Sequence, residues 1–246
     1  MASSTRSRCS PTRRRSDAAC ALDAEPVTPS AEQPTLLASD DDGDYGFVPY
    51  VIESAGGRER QYDMWSRLLA DRIVMCSGEI RTTMANSICA QLLYLSATDP
   101  EAEIAMYVNG AGGSITAGMA IIDTMRSLPC PVATYIIGCA PSMSSLIACC
   151  GTKGRRFATR HAWNLVHQGR ILDVIEGQAT DLEIEARRML VIEDQCNALY
   201  AEMTGKTKEQ IAADCERDLW LNAEEMLAYG LIDGIVERAP LARVNS

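Results

Sequence analysis

Glu103-Ile104-Ala105-Met106-Tyr107-Val108, then Asn109-Gly110-Ala111-Gly112-Gly113-Ser114, then Ile115-Thr116-Ala117-Gly118-Met119-Ala120-Ile121-Ile122, is the stretch that decides the fold. A short apolar run closed by glycines reads as a buried strand, and the unbroken run from Ile115 to Ser127 reads as a helix. The unit recurs immediately: a strand over Val132–Ile137, a tight turn through Gly138, and a helix from Ser142 to about Cys150. Two successive strand–turn–helix units predict an α/β domain with mostly parallel strand pairing.

Outward from this centre the alternation continues. Toward the N-terminus, Asp63–Leu69 reads as a short helix, Arg72–Cys76 as a strand, and Met84–Leu95 as a helix with apolar spacing and no breaker. Toward the C-terminus, Trp163–His167 reads as a strand and Ala179–Met203 as a long helix closed by Thr204-Gly205. Ala223–Tyr229 reads as a helix capped by Gly230, with a final strand over Leu231–Val236. No charge occurs from Leu128 to Thr152, but Pro129, Pro131, Gly138 and Pro141 divide that stretch too finely for a membrane span.

The ends differ in composition. Residues 1–16 carry Arg6, Arg8, Arg13, Arg14 and Arg15 with no acid, whereas residues 17–44 carry eight acids, ending in Asp40-Asp41-Asp42 and Asp44, with no base. Neither part has core-forming periodicity, so 1–44 is expected to be a disordered extension, 45–238 the folded domain and 239–246 a tail. An arginine- and serine-rich, acid-free start resembles a transit peptide into a chloroplast stroma or mitochondrial matrix; the alternative is an extension on a bacterial cytoplasmic protein.

Composition excludes several functions. A net charge of −10 and a pI near 4.8 do not suit a nucleic-acid surface, and no membrane partner is expected. Ten cysteines without C-x-x-C pairs, and two histidines, do not make a zinc set. Cys76, Cys89, Cys130, Cys149 and Cys150 sit in apolar runs and read as reduced, buried thiols rather than as a disulfide framework. The glycines at 110, 112 and 113 fail the dinucleotide spacing because Ile115 occupies its last position. Gly205-Lys206-Thr207 follows a helix rather than a strand and has Tyr200 where a phosphate loop needs its first glycine. No cofactor is therefore expected in this chain.

Three residues carry the chemistry. Ser142 stands at a strand-to-helix turn, His167 ends an apolar run, and Asp218 precedes another. A hydroxyl, an imidazole and a carboxylate are the parts of a nucleophile–base–orienter relay. Taken singly, they read as a helix cap, a core histidine and a turn acid. Glycines that expose backbone N–H groups at a helix start suit an oxyanion.

From about Phe47 to Glu237 these motifs together resemble the proteolytic subunit of the Clp protease. Phe47-Val48-Pro49-Tyr50-Val51-Ile52-Glu53 is similar to the start of the mature family subunit, and Gly112-Gly113-Ser114-Ile115-Thr116-Ala117-Gly118 to its oxyanion loop and helix. Ala140-Pro141-Ser142-Met143 resembles the nucleophile turn, His167-Gln168 the base, Gly177-Gln178-Ala179-Thr180-Asp181 the start of the long helix, and Glu216-Arg217-Asp218 the acid. The resemblance implies a crotonase-like fold of repeated ββα units with a long handle helix, assembled as two stacked seven-membered rings, homomeric or mixed. It implies a serine endopeptidase with Ser142, His167 and Asp218 as the triad and the backbone N–H groups of Gly113 and Met143 as the oxyanion hole. It also implies unfolded protein substrates delivered by an AAA+ unfoldase, the partner that uses ATP.

The chain departs from the family pattern in places. Gly110-Ala111 stand where Ser-Pro is usual, Cys139 replaces Gln, Pro141 replaces Ala, Ser144 replaces Gly, and Gly169 replaces Pro. The stretch Arg170 to Glu176 is about two residues longer than usual. Two rival readings remain: a noncatalytic or weakly active ring subunit, and an acyl-CoA enzyme on the same fold, against which the intact Ser–His–Asp order argues.

Overall fold

The computed structural model describes residues 49–55, 58–169 and 177–237. The expected extension over 1–44, the lengthened segment 170–176 and the tail 239–246 lie outside the described residues.

In chain order the elements are β1 (Tyr50–Ala55), β2 (Arg58–Asp63), α1 (Met64–Ala70), β3 (Ile73–Ile80), α2 (Thr82–Thr98) and β4 (Ile104–Gly113). There follow α3 (Ile115–Ser127), β5 (Val132–Ile136), β6 (Cys139–Pro141), α4 (Met143–Cys149), β7 (Arg156–Thr159) and β8 (Trp163–Val166). The last are α5 (Ala179–Thr204), α6 (Lys208–Cys215), β9 (Leu219–Asn222), α7 (Ala223–Tyr229) and β10 (Gly234–Val236).

A five-stranded sheet, ordered β10-β7-β5-β4-β3, is parallel throughout. This is the expected α/β architecture. Its centre is covered on both faces, which is why β5 is buried at all five positions and reads as one continuous apolar run. Tyr107, Tyr135 and Phe157 occupy matching register positions on β4, β5 and β7 and stack with ring centroids 5.1 and 5.2 Å apart.

Helices α2, α3 and α4 cover the core. On α2 the buried residues Ala85, Ile88, Leu92 and Leu95 repeat at helical spacing and form one stripe. Leu92 and Ile121 are fully buried, and each such side chain contributes about 1.5–3 kcal/mol by leaving water. Every residue of α4 is buried, and the uncharged stretch 128–152 is a strand, a short strand and a central helix. No helix among the described residues is long and apolar enough to cross a membrane. All eight cysteines of the described region are free thiols; burial pushes Cys76 and Cys149 up to about 12 and keeps them protonated.

Local chemistry fixes the element ends. Asp63 caps α1 by accepting from the Ser66 N–H, and Ser114 caps α3 by accepting from Ala117 N–H. Thr207/Gln210 and Asn222/Glu225 form reciprocal capping boxes on α6 and α7. Of the 26 residues of α5 only Tyr200 and Met203 are buried, so its N-terminal part leaves Ile184, Leu190 and Val191 exposed.

The structure alters several sequence expectations. Strand β4 does not stop at Val108: after a register shift at Gly78/Glu79 of β3, Gly112 and Gly113 pair with Glu79 and Ile80, so the glycines end a strand. Cys139–Pro141, expected as a turn, forms β6 on the edge of a three-stranded sheet ordered β6-β8-β9. Proline fits there because an edge strand can lack one donor. The final strand begins at Gly234 rather than Leu231, because Leu231 and Ile232 are buried in the core and Asp233 is held by Arg156.

Candidate active site

The small three-stranded sheet sets the positions of the three expected residues. Strand β6 runs parallel to β8 with Pro141 beside Leu165, and Ser142 N–H continues that ladder to the Leu165 carbonyl at 2.8 Å. Strand β9 runs antiparallel to β8 with Leu219 opposite Val166. His167 directly follows Val166 at the end of β8, and Asp218 directly precedes Leu219 at the start of β9, so the two flank the last pair of that ladder. Nucleophile, base and acid candidates thus lie at one end of one sheet.

Ser142 has a backbone that serine rarely adopts, φ 57° and ψ −124°. With Arg72 it is one of two non-glycine residues at positive φ in the described region. Such a conformation costs on the order of 1–3 kcal/mol. Although Ser142 is the N-cap of α4, its side chain makes no capping hydrogen bond. The cap reading of this serine therefore fails; its hydroxyl is not used by the helix it begins. The hydroxyl of Tyr200, one of the two buried residues of α5, reaches the Ser142 carbonyl at 3.5 Å.

His167 is half-buried, and its Nδ1 lies 2.6 Å from the Gln168 carbonyl oxygen. With Nδ1–H donated to that carbonyl, Nε2 keeps the lone pair that a general base needs. The Nδ1 partner here is thus a carbonyl, where the sequence suggested the Asp218 carboxylate. His167 and Asp218 share the walls of a cavity of about 560 Å³ with Gln168, Cys215, Glu216 and Arg217. Gln168 N–H donates to the Cys215 carbonyl at 2.9 Å and ties the histidine's strand to that same turn.

The glycine strand closes the other side. A Cβ built on Gly112 (φ +80°) would lie 2.8 Å from Ser142 Cβ and 3.4 Å from its Oγ, so β4 passes directly against the serine. Gly113 is exposed, with φ +142°, and the next N–H, that of Ser114, donates to Ile80 carbonyl at 2.8 Å. Met143 is buried, its side chain against Gly118 of α3, and its backbone N–H opens α4. The two expected oxyanion donors, Gly113 and Met143, therefore belong to different elements, β4 and α4, that meet at Ser142.

Residues the sequence reading missed hold this junction. The Asn109 side chain accepts from Cys139 N–H at 3.2 Å, and the Ser144 hydroxyl accepts from Gly112 N–H at 3.1 Å. Ser144 was visible only as a departure from the usual glycine; its contact is a tertiary one that spacing along the chain does not carry.

A family model, Clp protease, matches residues 56–239 of the 246. The match spans the five-stranded sheet, the Ser142 turn, the His167 strand and the Asp218 turn, and with the architecture described above it shows that the chain belongs to the Clp protease family.

Proposed function

We propose that the chain is an active serine endopeptidase, the proteolytic subunit of an ATP-dependent Clp protease. The observation that carries this reading is Ser142: a serine kept at positive φ, released from capping, and lying at the same end of the three-stranded sheet as His167 and Asp218. Strain of this kind persists only where the surroundings over-determine it, and it clusters at working sites.

In the mechanism, Ser142 Oγ attacks the peptide carbonyl while His167 Nε2 takes its proton. The Gln168 carbonyl holds the ring in the required tautomer, and Asp218, just ahead of β9, stabilises the imidazolium. The negative charge that develops on the carbonyl oxygen is met by the N–H groups of Gly113 and Met143. His167 then protonates the leaving amine, and water releases the acyl group by the reverse sequence. The exposed apolar residues of α5, Ile184, Leu190 and Val191, suit burial between two stacked heptameric rings. Unfolded chains would be fed to the chamber by an AAA+ unfoldase, which hydrolyses the ATP.

The neutral character of the His167 Nδ1 partner favours the second reading, a weakly active or noncatalytic ring subunit: the Gln168 carbonyl sets the tautomer but lacks the charge that a carboxylate orienter brings. Hydrolysis of a fluorogenic peptide by the assembled protein, without ATP, separates the two. The active reading expects turnover in the wild type and its loss in His167→Ala and Asp218→Ala. Rings that form but do not turn over would leave the structural-subunit reading standing.

A further inference from the structure

Two backbone donors on separate elements can serve one oxyanion only if the elements are locked together. Strand β4 supplies Gly113 and helix α4 supplies Met143, and sequence-neighbours of these two residues make the direct link. Ser144, immediately after Met143, is fully buried in the first turn of α4. Its Oγ accepts from the N–H of Gly112, immediately before Gly113, at 3.1 Å. On the far side of Gly113, Ser114 N–H is fixed to the Ile80 carbonyl. The Gly113 N–H thus lies between two anchored peptides, one of them anchored to the helix that carries the other donor.

The fit is close. A Cβ on Gly110 would fall 2.4 Å from Ser144 Oγ and 2.8 Å from the Gly78 carbonyl oxygen, so the hydroxyl packs straight onto the glycine backbone. Only a residue without a side chain fits opposite it. The chain therefore departs from the family pattern at two positions that touch, Gly110 and Ser144, and the departure supplies a hydrogen-bond acceptor for the strand.

We propose that Ser144 is a positioning residue for the peptidase reaction, whose hydroxyl locks the Gly113 donor to the Met143 donor. This inference rests on the serine-peptidase reading above. Ser144 touches no substrate; it acts through the backbone of Gly112.

The test uses the full-length assembled protein with Ser144→Ala, Ser144→Thr and, as a neighbour buried in the same helix, Ser145→Ala. A fluorogenic peptide gives kcat and KM, a peptide aldehyde that forms a tetrahedral adduct on Ser142 gives an inhibition constant, and a thermal melt reports the fold. Loss of a whole oxyanion donor costs about 10²–10³ in turnover, so a loosened donor is expected to cost Ser144→Ala about 10- to 100-fold. KM should stay within about twofold, because the lost interaction is made in the transition state. The aldehyde should weaken by the same factor as kcat falls, with the melt lowered by only a few degrees for the unpaired Gly112 N–H, while Ser144→Thr, which keeps the acceptor at a cost in packing, retains more activity than Ser144→Ala. Wild-type kcat and aldehyde affinity in Ser144→Ala, or an equal loss in Ser145→Ala, would overturn the positioning role alone. A wild type that neither cleaves the peptide nor reacts with a fluorophosphonate would overturn the peptidase reading and this inference with it.

Discussion

Gly112→Ala separates backbone strain from active-site geometry, because Gly154 provides a matched control. The two glycines have nearly the same backbone, φ +80° and +82°, so alanine at either incurs the same left-handed penalty, about 1–2 kcal/mol. Their surroundings differ. A Cβ on Gly154 meets nothing within 4 Å, whereas one on Gly112 would stand 2.8 Å from Ser142 Cβ and 3.0 Å from the Pro141 carbonyl oxygen. Restoring ordinary contact requires Ser142 and Gly112 to move apart by about 1 Å, and a misplacement of that size costs about 10²-fold in rate. Both variants should therefore melt a few degrees lower, at about 2–4 °C per kcal/mol for a domain of this size. Only Gly112→Ala should lose about a hundredfold or more in kcat/KM. Peptide hydrolysis and a thermal melt, run on both purified assemblies, supply the numbers. Equal activity in the two variants would refute the claim that β4 sets the position of the nucleophile.

Two further perturbations test the scaffold. Arg156 is almost fully buried; it pairs with Asp233 through Nε and Nη2 at 2.9 and 2.6 Å, and its Nη1 reaches the carbonyls of Cys149, Met203 and Gly230 at the ends of α4, α5 and α7. Asp233→Asn leaves that charge unpaired, which costs about 3–5 kcal/mol for a buried pair; three carbonyls remain to hold the guanidinium, so about 3 kcal/mol, the lower end, is expected in a denaturant titration. Burial raises the Asp233 carboxyl, but the hydrogen bonds from Arg156 outweigh this and its net position is below the usual range. The pair's contribution is therefore complete above the unfolded carboxylate value of about 3.9 and is lost as pH falls through the lower folded value. Melting temperature measured from pH 6 downward should show an acid limb that shrinks in Asp233→Asn. Asp63→Ala removes the cap of α1, whose carboxylate accepts from both Ser66 N–H and Ser66 Oγ; it should cost about 1 kcal/mol in the same titration and leave peptide hydrolysis unchanged.

What could be read from the sequence was what local patterning carries. Helix α3 starts at Ile115 and ends at Ser127, and α7 runs from Ala223 to Tyr229, as apolar spacing and caps indicated. Strands whose existence depends on a distant partner were harder to see. Gly110-Ala111-Gly112-Gly113 has no strand propensity of its own, yet β3 draws it into the ladder; β6 is three residues long and exists because β8 lies beside it. Helix α6 was missed because its buried residues, Ile211 and Cys215, are too few to produce a periodic stripe. At the site, Ser142, His167 and Asp218 could be named from residue type and family resemblance. Their place at one end of the small sheet comes from the pairing of β6, β8 and β9, and the roles of Ser144, Asn109 and the Gln168 carbonyl come from contacts across 32 and 30 residues of chain or from the backbone itself.

Labelling of the assembled wild-type protein with a fluorophosphonate, followed by digestion and mass spectrometry of the adduct, tests the central claim most directly. A single covalent adduct on Ser142, absent in Ser142→Ala and slowed in His167→Ala, is the predicted result. An assembled protein that stays unlabelled, or one labelled instead at Ser144 or Ser145, would contradict it.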